Sequence, residues 1–386
     1  MKVLIVNRYM SVYGGAESVV RELALGLLKR GIGTKVVTLN VSEEVRGLCP
    51  GVEFVLPPKV FPYAFRSTGI TAAMGILDEY WWLRKLIKSC YREFDIINTH
   101  NFPASIAVHG LDKPVVWLCN EPPDLVNNLR PSLIMKLFRW VGLKVDREII
   151  NSSVDTLIVA DENNFSRVEE RYGRRDSVVI PYGISTEIFY AQKVDAKELR
   201  EKYKIPFEKR IVLQAGVLSP QKNQLASVNA LNNICKNGVD AVLVLVGNKD
   251  TKYYNEVVDA VKSYGMESRV VYTGIVGKTE LAKLYNIADV CVFPVKEQGG
   301  WLAPFEAISC AKPVVVSTTM GAAGLIKSKN LGVVTNDFGN ALQQVFDNHS
   351  TWQKIAGEGM KWVHENLTWD KYVDEMINKF EQTLNR

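Results

Sequence analysis

Short apolar runs alternate with helical stretches along most of the chain, and this alternation limits the possible folds more than any other feature of the sequence. In a first series, an apolar run at residues 2–7 is followed by a helical stretch at 16–30 and another apolar run at 34–39. A second series has apolar runs at 210–216, 241–247, 269–274, 290–295 and 313–317. Such alternation predicts an α/β fold with mainly parallel sheets and helices on both faces. Ligands of such sheets bind beyond the carboxyl ends of the strands.

The two series indicate two domains. With 386 residues and 47% hydrophobic content, the chain can bury two cores of ordinary size. A Lys- and Glu-rich helical stretch at 194–204 separates the series and has no apolar face. We therefore expect an N-terminal domain at 1–190 and a C-terminal domain at 191–367. In the remaining segment, 368–386, the helical spacing of Tyr372, Met376, Phe380 and Leu384 predicts a docked helix.

Charge and cysteine usage exclude several classes of protein. The net charge of +5 comes from 47 basic and 42 acidic residues, which is too small an excess for a nucleic-acid binder but suits anionic substrates or an anionic membrane. Six scattered cysteines indicate neither a disulfide framework nor a zinc site. No apolar run is long enough to span a bilayer, and the first apolar run is too short for a secretion signal. We expect a cytoplasmic protein.

The stretch 293–318 carries the strongest functional signal. It reads FPVKEQGGWLAPFEAISCAKPVVVST, in which an apolar strand is followed by the pair Gly299–Gly300, a helix at about 303–310 and another strand. Glycines let backbone amides approach a ligand, and a helix start favours an anion. Glu306 lies four residues beyond Leu302, roughly 6 Å further along the axis, where a carboxylate would meet hydroxyl groups. Phosphate and hydroxyls together suggest a sugar nucleotide; an ordinary packing turn is the alternative.

This stretch resembles the donor-site motif of the retaining glycosyltransferases of family 4, written Glu-x7-Glu. Glu306 matches the second acid, Leu302 and Ala303 match the pair that donates backbone amides, and Gly300 and Trp301 directly precede them. The position eight residues before Glu306 is Gln298, whereas the acid, Glu297, lies nine before it. Either a one-residue bulge restores Glu297 or Gln298 has taken its role. The resemblance implies the GT-B architecture: two Rossmann-like domains that face each other across a cleft, with the last helix crossing back to the N-terminal domain.

A second constellation follows the strand at 210–216. Gly216 stands at the strand end and Lys222 six residues later, where a lysine would neutralise a leaving diphosphate. The resembled family has G-R-L-x-x-x-K here, so Val217 replaces an arginine that Arg8 or another N-terminal arginine would have to supply. An ordinary surface lysine is the alternative. Gly274 and Ile275 match the positions that lie beside the nucleotide base in the family.

The N-terminal series also ends in polar loops. Gly14 and Gly15 belong to a G-G-A-E sequence like the family's loop between donor phosphate and acceptor. His100 and Asn120 follow two apolar strands and are expected at the same edge, although His100 is equally well read as a core residue at a strand end. Asn120 occupies the place of the family's histidine. An amide binds sugar hydroxyls but cannot relay a proton at neutral pH, which suits a retaining front-face mechanism.

Two helical stretches combine aromatic, apolar and basic residues. Residues 79–88 read EYWWLRKLIK and residues 129–144 read LRPSLIMKLFRWVGLK. A basic amphipathic helix can lie in the headgroup region of a membrane, so peripheral contact with the cytoplasmic face of a membrane is one interpretation. The other is that these helices cover the sheet and only their basic ends reach water.

We predict a glycosyltransferase that moves a sugar from a nucleoside diphosphate sugar to an acceptor hydroxyl on a glycan or a lipid-linked molecule. The predicted catalytic residues are Lys222, Glu297 and Asn120. The sequence contains no Asp-x-Asp, so we expect neither a metal nor a cofactor. The alternatives are a catalytically silent subunit that binds nucleotide sugars, and an epimerase or phosphorylase of the same architecture.

Overall fold

A computed structural model describes residues 1–10, 15–59, 61, 70–123, 133–249, 251–296 and 301–386. It divides into two compact units. Unit 1 comprises residues 1–183 and 369–386, and unit 2 comprises residues 184–368. The predicted boundary at residue 190 thus lies beyond the observed division. Residues 184–190 belong to unit 2, where Phe189 is buried and its carbonyl accepts a hydrogen bond from the hydroxyl of Ser309.

Unit 1 contains a parallel sheet of seven strands in the order β3-β2-β1-β4-β5-β6-β7. The strands are β1 Lys2–Val6, β2 Gly33–Val37, β3 Glu53–Val55, β4 Ile96–Thr99, β5 Val115–Cys119, β6 Thr156–Val159 and β7 Val178–Val179. The helices are α1 Gly15–Lys29, α2 Glu43–Gly47, α3 Ile70–Cys90, α4 Ala104–Ala107, α5 Leu133–Ser153, α6 Glu162–Tyr172 and α15 Trp369–Leu384.

Unit 2 contains a second parallel sheet, of six strands in the order β10-β9-β8-β11-β12-β13. The strands are β8 Arg210–Ala215, β9 Ala241–Val246, β10 Val270–Gly274, β11 Val290–Phe293, β12 Val314–Val316 and β13 Val333–Val334. The helices are α7 Ala196–Tyr203, α8 Gln224–Lys236, α9 Thr251–Ser263, α10 Lys278–Ile287, α11 Leu302–Ser309, α12 Ala323–Ser328, α13 Phe338–Asp347 and α14 His349–Asn366.

The strands form because their sequences are continuous apolar runs, as expected for sheets covered on both faces. Every residue of β5 and β9 is buried. In each sheet the strand order reverses direction beside the first strand of the unit, between β1 and β4 and between β8 and β11. Such reversals leave a crevice at the carboxyl ends of the strands. The predicted class, two Rossmann-like α/β domains, is confirmed.

The last helix returns to unit 1, as predicted. α15 packs against α1 and buries Tyr372, Val373, Met376 and Phe380. Arg30 at the end of α1 donates to Asp374 at 2.7 Å and to Asp370 at 3.2 Å. Among the helices that the structure describes, none is both long and apolar enough to cross a membrane.

Candidate functional site

In unit 2, three glycines stand at neighbouring strand ends and bring backbone segments into close contact. Gly216 and Gly247 have φ angles of 145° and 142°, a region that side chains other than glycine rarely adopt. The amide of Gly216 donates to Val246 at 2.9 Å, and that of Gly247 donates to Gly274 at 2.9 Å. A Cβ atom on Gly247 would lie 2.2 Å from the carbonyl oxygen of Gly216. A glycine is therefore required at position 247, next to Gly216, which was predicted to contact a ligand. Gly247 itself was not predicted as part of the site.

Lys222 lies over Gly216. Its Cγ and Cδ atoms are 3.8 and 3.9 Å from the point where a Cβ of residue 216 would stand. The loop is fixed by Gln214, whose side-chain amide donates to the Lys222 carbonyl at 2.8 Å and accepts from Ser227 at 2.7 Å. The amide of Lys296, after β11, donates to the carbonyl of Gln221 at 2.9 Å. The structure thus brings the Gly216–Lys222 loop next to the segment that precedes the predicted donor motif.

Glu306 occupies the middle of α11 and is only partly exposed. Burial raises the pKa of its carboxyl to about 7, and the charge of Lys278 lowers it in part. Near the same helix start, the hydroxyl of Tyr285 donates to the carbonyl of Ala303 at 3.3 Å. A carboxyl group that gains and loses its proton near neutral pH at a strand-end crevice is typical of a functional site rather than of packing.

The first turn of α11 is partly exposed among the described residues. Leu302 and Ala303 are partly exposed, whereas Trp301 is buried with its ring 4.5 Å from that of Phe305. Trp301 therefore anchors the helix start and offers little surface of its own. Glu297, Gln298, Gly299 and Gly300 lie outside the described residues, so the choice between Glu297 and Gln298 stays a prediction. Gly14 also lies outside them.

The position of the absent arginine is an open surface. Val217 is 44% exposed and Ile275 is 46% exposed. Arg8, a suggested substitute, is already held within unit 1, where it donates to Glu79 at 2.9 Å and Tyr9 also donates to Glu79.

In unit 1, a chain of hydrogen bonds runs along the carboxyl ends of three neighbouring strands and was not foreseen. The hydroxyl of Tyr182 donates to Asn120, and the amide of Asn120 donates to Asn101 at 2.8 Å. Asn101 donates to Asn7 at 3.0 Å, and Asn7 donates to the carbonyl of Tyr9 at 2.6 Å. The signal was available, since Asn7, Asn101 and Asn120 each follow an apolar strand closely. This chain of hydrogen bonds fixes the orientation of the Asn120 amide.

Gly15, the described glycine of the predicted N-terminal glycine loop, is the first residue of α1, the helix that follows β1.

His100 lies in the core of unit 1. It is fully buried, and its Nε2 atom lies 2.8 Å from the side-chain oxygen of Asn98. Burial lowers the pKa of its imidazole to about 3, so the ring stays neutral. Of the two interpretations of His100, the buried position favours a core histidine at a strand end over a residue that contacts an acceptor.

A polar cavity of about 470 Å³ also lies in unit 2, beside the ends of β11 and β12. Its lining includes Asn223, Asn229, Asn233, Lys296 and Asn336, but neither Lys222 nor Glu306. Lys222 and Glu306 are therefore not part of this cavity. Over the described ranges, no group of three or more His, Cys, Asp or Glu side chains could hold a metal ion.

Comparison with known families decides the assignment. The family model "Glycosyltransferase Family 4" matches residues 13–188, and the model "Glycosyl transferases group 1" matches residues 195–355. The chain belongs to glycosyltransferase family 4.

Relatives of this glycosyltransferase span nearly the whole chain. A probable sucrose-phosphate synthase of Thermosipho melanesiensis is 22% identical over 96% of this chain and 91% of that protein. The alpha-monoglucosyldiacylglycerol synthase of Streptococcus pneumoniae is 26% identical over 99% of this chain and 87% of that protein. Among solved structures, Anabaena HepE in complex with UDP and glucose has a TM-score of 0.79 at 18% identity, covering 99% of this chain and 100% of that one.

Proposed function

We propose that this glycosyltransferase moves a sugar from a nucleoside diphosphate sugar to an acceptor hydroxyl, retains the anomeric configuration and needs no metal. The observation that carries the proposal is the arrangement at the carboxyl edge of the unit 2 sheet. There Lys222 lies over Gly216, α11 begins with partly exposed residues, and Glu306 follows one turn later in the same helix.

These groups match the chemical parts of such a donor. The Lys222 ammonium would bind the diphosphate, together with the amides at the start of α11. The carboxylate of Glu306 would accept hydrogen bonds from the ribose hydroxyls, and the base would lie against Ile275. Glu297, or Gln298 in its place, would bind the hydroxyls of the transferred sugar. Because amides and a lysine neutralise the leaving group, a metal is not required.

A retaining step suits the chemistry of Asn120. The acceptor oxygen would attack the anomeric carbon on the face from which the diphosphate leaves. The bond from that carbon to the phosphate oxygen breaks, and the acceptor proton passes to the departing phosphate. Asn120 cannot take this proton, but its fixed amide can bind a substrate hydroxyl.

Names of relatives support the donor and one class of acceptor. Anabaena HepE has been solved with UDP-glucose, which makes UDP-glucose the first donor to test. The alpha-monoglucosyldiacylglycerol synthase of Streptococcus pneumoniae is named for a lipid product. We propose a lipid-linked molecule or a growing glycan as the acceptor.

Calorimetric titration with UDP-glucose, GDP-mannose and ADP-glucose in EDTA tests the donor site. We expect selective binding of one nucleotide, weakened about tenfold or more by Lys222→Ala and by Glu306→Gln, because each loses a charged hydrogen bond. Lys262→Ala removes an exposed lysine of α9 and serves as the matched control. Unchanged affinity in both site variants would refute the assignment of the donor site.

Transfer is tested separately by NMR of the anomeric proton of the product. A product with inverted configuration would refute retention, and activity that requires added Mg²⁺ after EDTA treatment would refute metal independence.

A second candidate function is a subunit that binds the donor without transferring it. The exposed Val217, in the place of the family's arginine, favours this candidate. Donor binding that depends on Lys222, without turnover towards any acceptor, would select it.

A further inference from the structure

Exposed apolar side chains are concentrated on two helices of unit 1. Thirteen large apolar side chains of the described residues are exposed, and six of them lie on α3 and α5. On α3 they are Met74, Leu77 and Trp81, spaced so that they share one face of the helix. On α5 they are Trp140, Val141 and Val145. Trp81 and Trp140 are each 54% exposed, which is costly for the largest apolar side chain unless something covers it.

The two helices occupy the same layer of unit 1. Both pack against α4, and Leu83, Ile87 and Ile150 on their inner sides contribute to one core with the sheet. Arg84 of α3 donates to the carbonyl of His109 at 2.6 Å, and the ring of His109 lies 2.8 Å from the hydroxyl of Ser153 at the end of α5. The exposed residues of both helices therefore lie on the outer side of one layer, which we call the α3–α5 surface.

Cations lie beside the exposed tryptophans. The ammonium of Lys144 is 3.9 Å from the ring centre of Trp140, and that of Lys85 is 5.0 Å from the ring of Trp81. Tryptophan next to lysine is the combination found where protein meets lipid headgroups, because the ring lies at the interface and the charge reaches the headgroups.

A basic cleft of about 440 Å³ adjoins the α5 part of this surface. Its lining includes Trp140, Lys144, Arg147, Arg167, Glu170 and Arg171. Arg171 is bound to the buried Asp146 at 2.9 Å. In the ranges that the structure describes, Arg147 and Arg167 form no ion pair, and both are exposed. The cleft thus combines apolar walls with cations that are available to an anion.

We propose that the α3–α5 surface docks on an anionic lipid bilayer, with its tryptophans in the interface and a headgroup phosphate bound by Arg147 and Arg167. Charge decides between a bilayer and other occupants. The acidic residues Asp78 and Asp146 are already paired, with Lys59 at 2.6 Å and with Arg171. Glu148 on α5 and Glu170 in the cleft are exposed as well, but the four cations Lys85, Lys144, Arg147 and Arg167 outnumber these two acids. This complements anionic headgroups over an apolar layer. The inference goes beyond sugar transfer and does not depend on it.

Sedimentation with vesicles tests the proposal on the full chain, without any nucleotide sugar. The vesicles are phosphatidylcholine alone or phosphatidylcholine mixed with phosphatidylglycerol. We expect the protein to bind the mixed vesicles and to be released by salt. Arg147→Gln with Arg167→Gln should lower the partition coefficient about fivefold for each lost charge. Trp81→Ser with Trp140→Ser should lower it by at least about tenfold.

Matched controls lie in unit 2. Phe207 is 52% exposed, so Phe207→Ser removes a comparable exposed aromatic side chain, and Lys236→Gln with Lys262→Gln removes two exposed cations. Both controls should bind vesicles like the wild type. Far-ultraviolet circular dichroism verifies that every variant is folded.

Three outcomes would overturn the proposal. The first is the absence of binding to mixed vesicles, or equal binding to both kinds. The second is unchanged vesicle binding by the arginine and tryptophan variants. If inorganic phosphate nevertheless binds in calorimetry, and Arg147→Gln abolishes phosphate binding, the cleft is a site for a free anion. The third is a dimer in sedimentation velocity that the tryptophan variant dissociates, with no change in vesicle binding. That result would identify the surface as an interface between two copies.

Discussion

Glu306 shows how a single residue couples stability to ligand binding. Its carboxyl is placed among buried groups at the edge of unit 2, where burial opposes its charge. In the proposed complex the ribose hydroxyls would supply the hydrogen bonds that the charged form lacks in the free protein. The free protein therefore carries a destabilising group whose partner is the substrate, as is common at functional sites.

The first prediction concerns Glu306→Gln and pH. The folded-state pKa of about 7 lies above the ordinary value of 4.5, so the folded protein keeps this proton between those values while the unfolded chain loses it. The free energy of unfolding of the wild type, compared with that of Glu306→Gln, therefore falls as pH rises from 4.5 to 7. Above pH 7 the glutamine variant should be the more stable by at most about 3 kcal/mol, and at pH 4 the two should be equal. Thermal unfolding measured across this range checks the prediction, and a difference independent of pH would contradict it.

The second prediction concerns Tyr182, which orients Asn120. Burial raises the pKa of its hydroxyl, so the hydroxyl stays protonated and donates to Asn120. Tyr182→Phe leaves the amide oxygen without this donor, and we expect kcat to fall about tenfold with donor affinity unchanged. In the Asn120→Ala background the same substitution should have little further effect, since the two residues act together.

Tyr264→Phe is the control, because Tyr264 also donates to an asparagine, Asn229, at 3.0 Å on the surface of unit 2. Equal effects of Tyr182→Phe with and without Asn120 would show that Tyr182 has only a structural role.

Among single residues, the sequence predicted candidate site residues that stand at a regular spacing from a strand or helix. It missed residues that join the site only through contacts made in the folded protein. Lys222 and Glu306 were predicted because each lies at a fixed distance from a strand or helix start. Tyr182 and Asn7 are far apart in sequence and are linked only in the fold, through Asn120 and Asn101. Two interpretations of His100 stayed open because a strand-end position does not reveal whether the following backbone turns the side chain inward.

Among the elements, the strand ends of unit 2 depend on glycine. The third prediction compares Gly247→Ala with Gly238→Ala. Both positions have positive φ angles, 142° and 91°, so both substitutions strain the backbone. Only at residue 247 would the new methyl group meet another backbone atom, 2.2 Å away, whereas residue 238 has no neighbour within 4 Å. We expect Gly247→Ala to cost at least about 2 kcal/mol more in unfolding by urea and to weaken donor binding, because Gly216 must move.

Equal losses of stability in the two glycine variants would show that the close approach of residues 216 and 247 relaxes easily.

The elements that the sequence predicted well are long and regular. Strands such as β9 are uninterrupted apolar runs, and the helix predicted at 368–386 appears as α15. The elements β13 and α4 have two and four residues, too few for a period to show. β13 exists because β12 offers it hydrogen-bonding partners, and this information is tertiary.

In the whole molecule, unit 2 is inserted into unit 1 between Gly183 and Trp369. Where the chain enters and leaves unit 2, Ile184 pairs with Thr368, and the amide of Ile184 donates to Leu367 at 2.8 Å. The sequence predicted two domains and the returning helix, but it put the boundary at residue 190. Apolar residues such as Ile184 and Phe189 could belong to either core, and only packing assigns them.

The fourth prediction concerns α15. It buries four large side chains in unit 1, each of which contributes about 2 kcal/mol, so the sum is comparable to the stability of a whole domain. Residues 1–183 alone should therefore not fold cooperatively, whereas the same segment joined to residues 369–386 by a short flexible linker should. Thermal unfolding followed by circular dichroism distinguishes the two. A cooperative transition of residues 1–183 at the same temperature as the fused form would contradict the prediction.

The returning helix also sets an order for synthesis. Residues 1–183 leave the ribosome first, yet the surface of α1 stays uncovered until α15 has been made, after all of unit 2. Unit 2 is continuous in sequence, so it can fold as soon as residue 368 emerges. Unit 2 is then complete before unit 1. For most of translation the nascent chain therefore exposes the apolar face of α1, which a chaperone can bind.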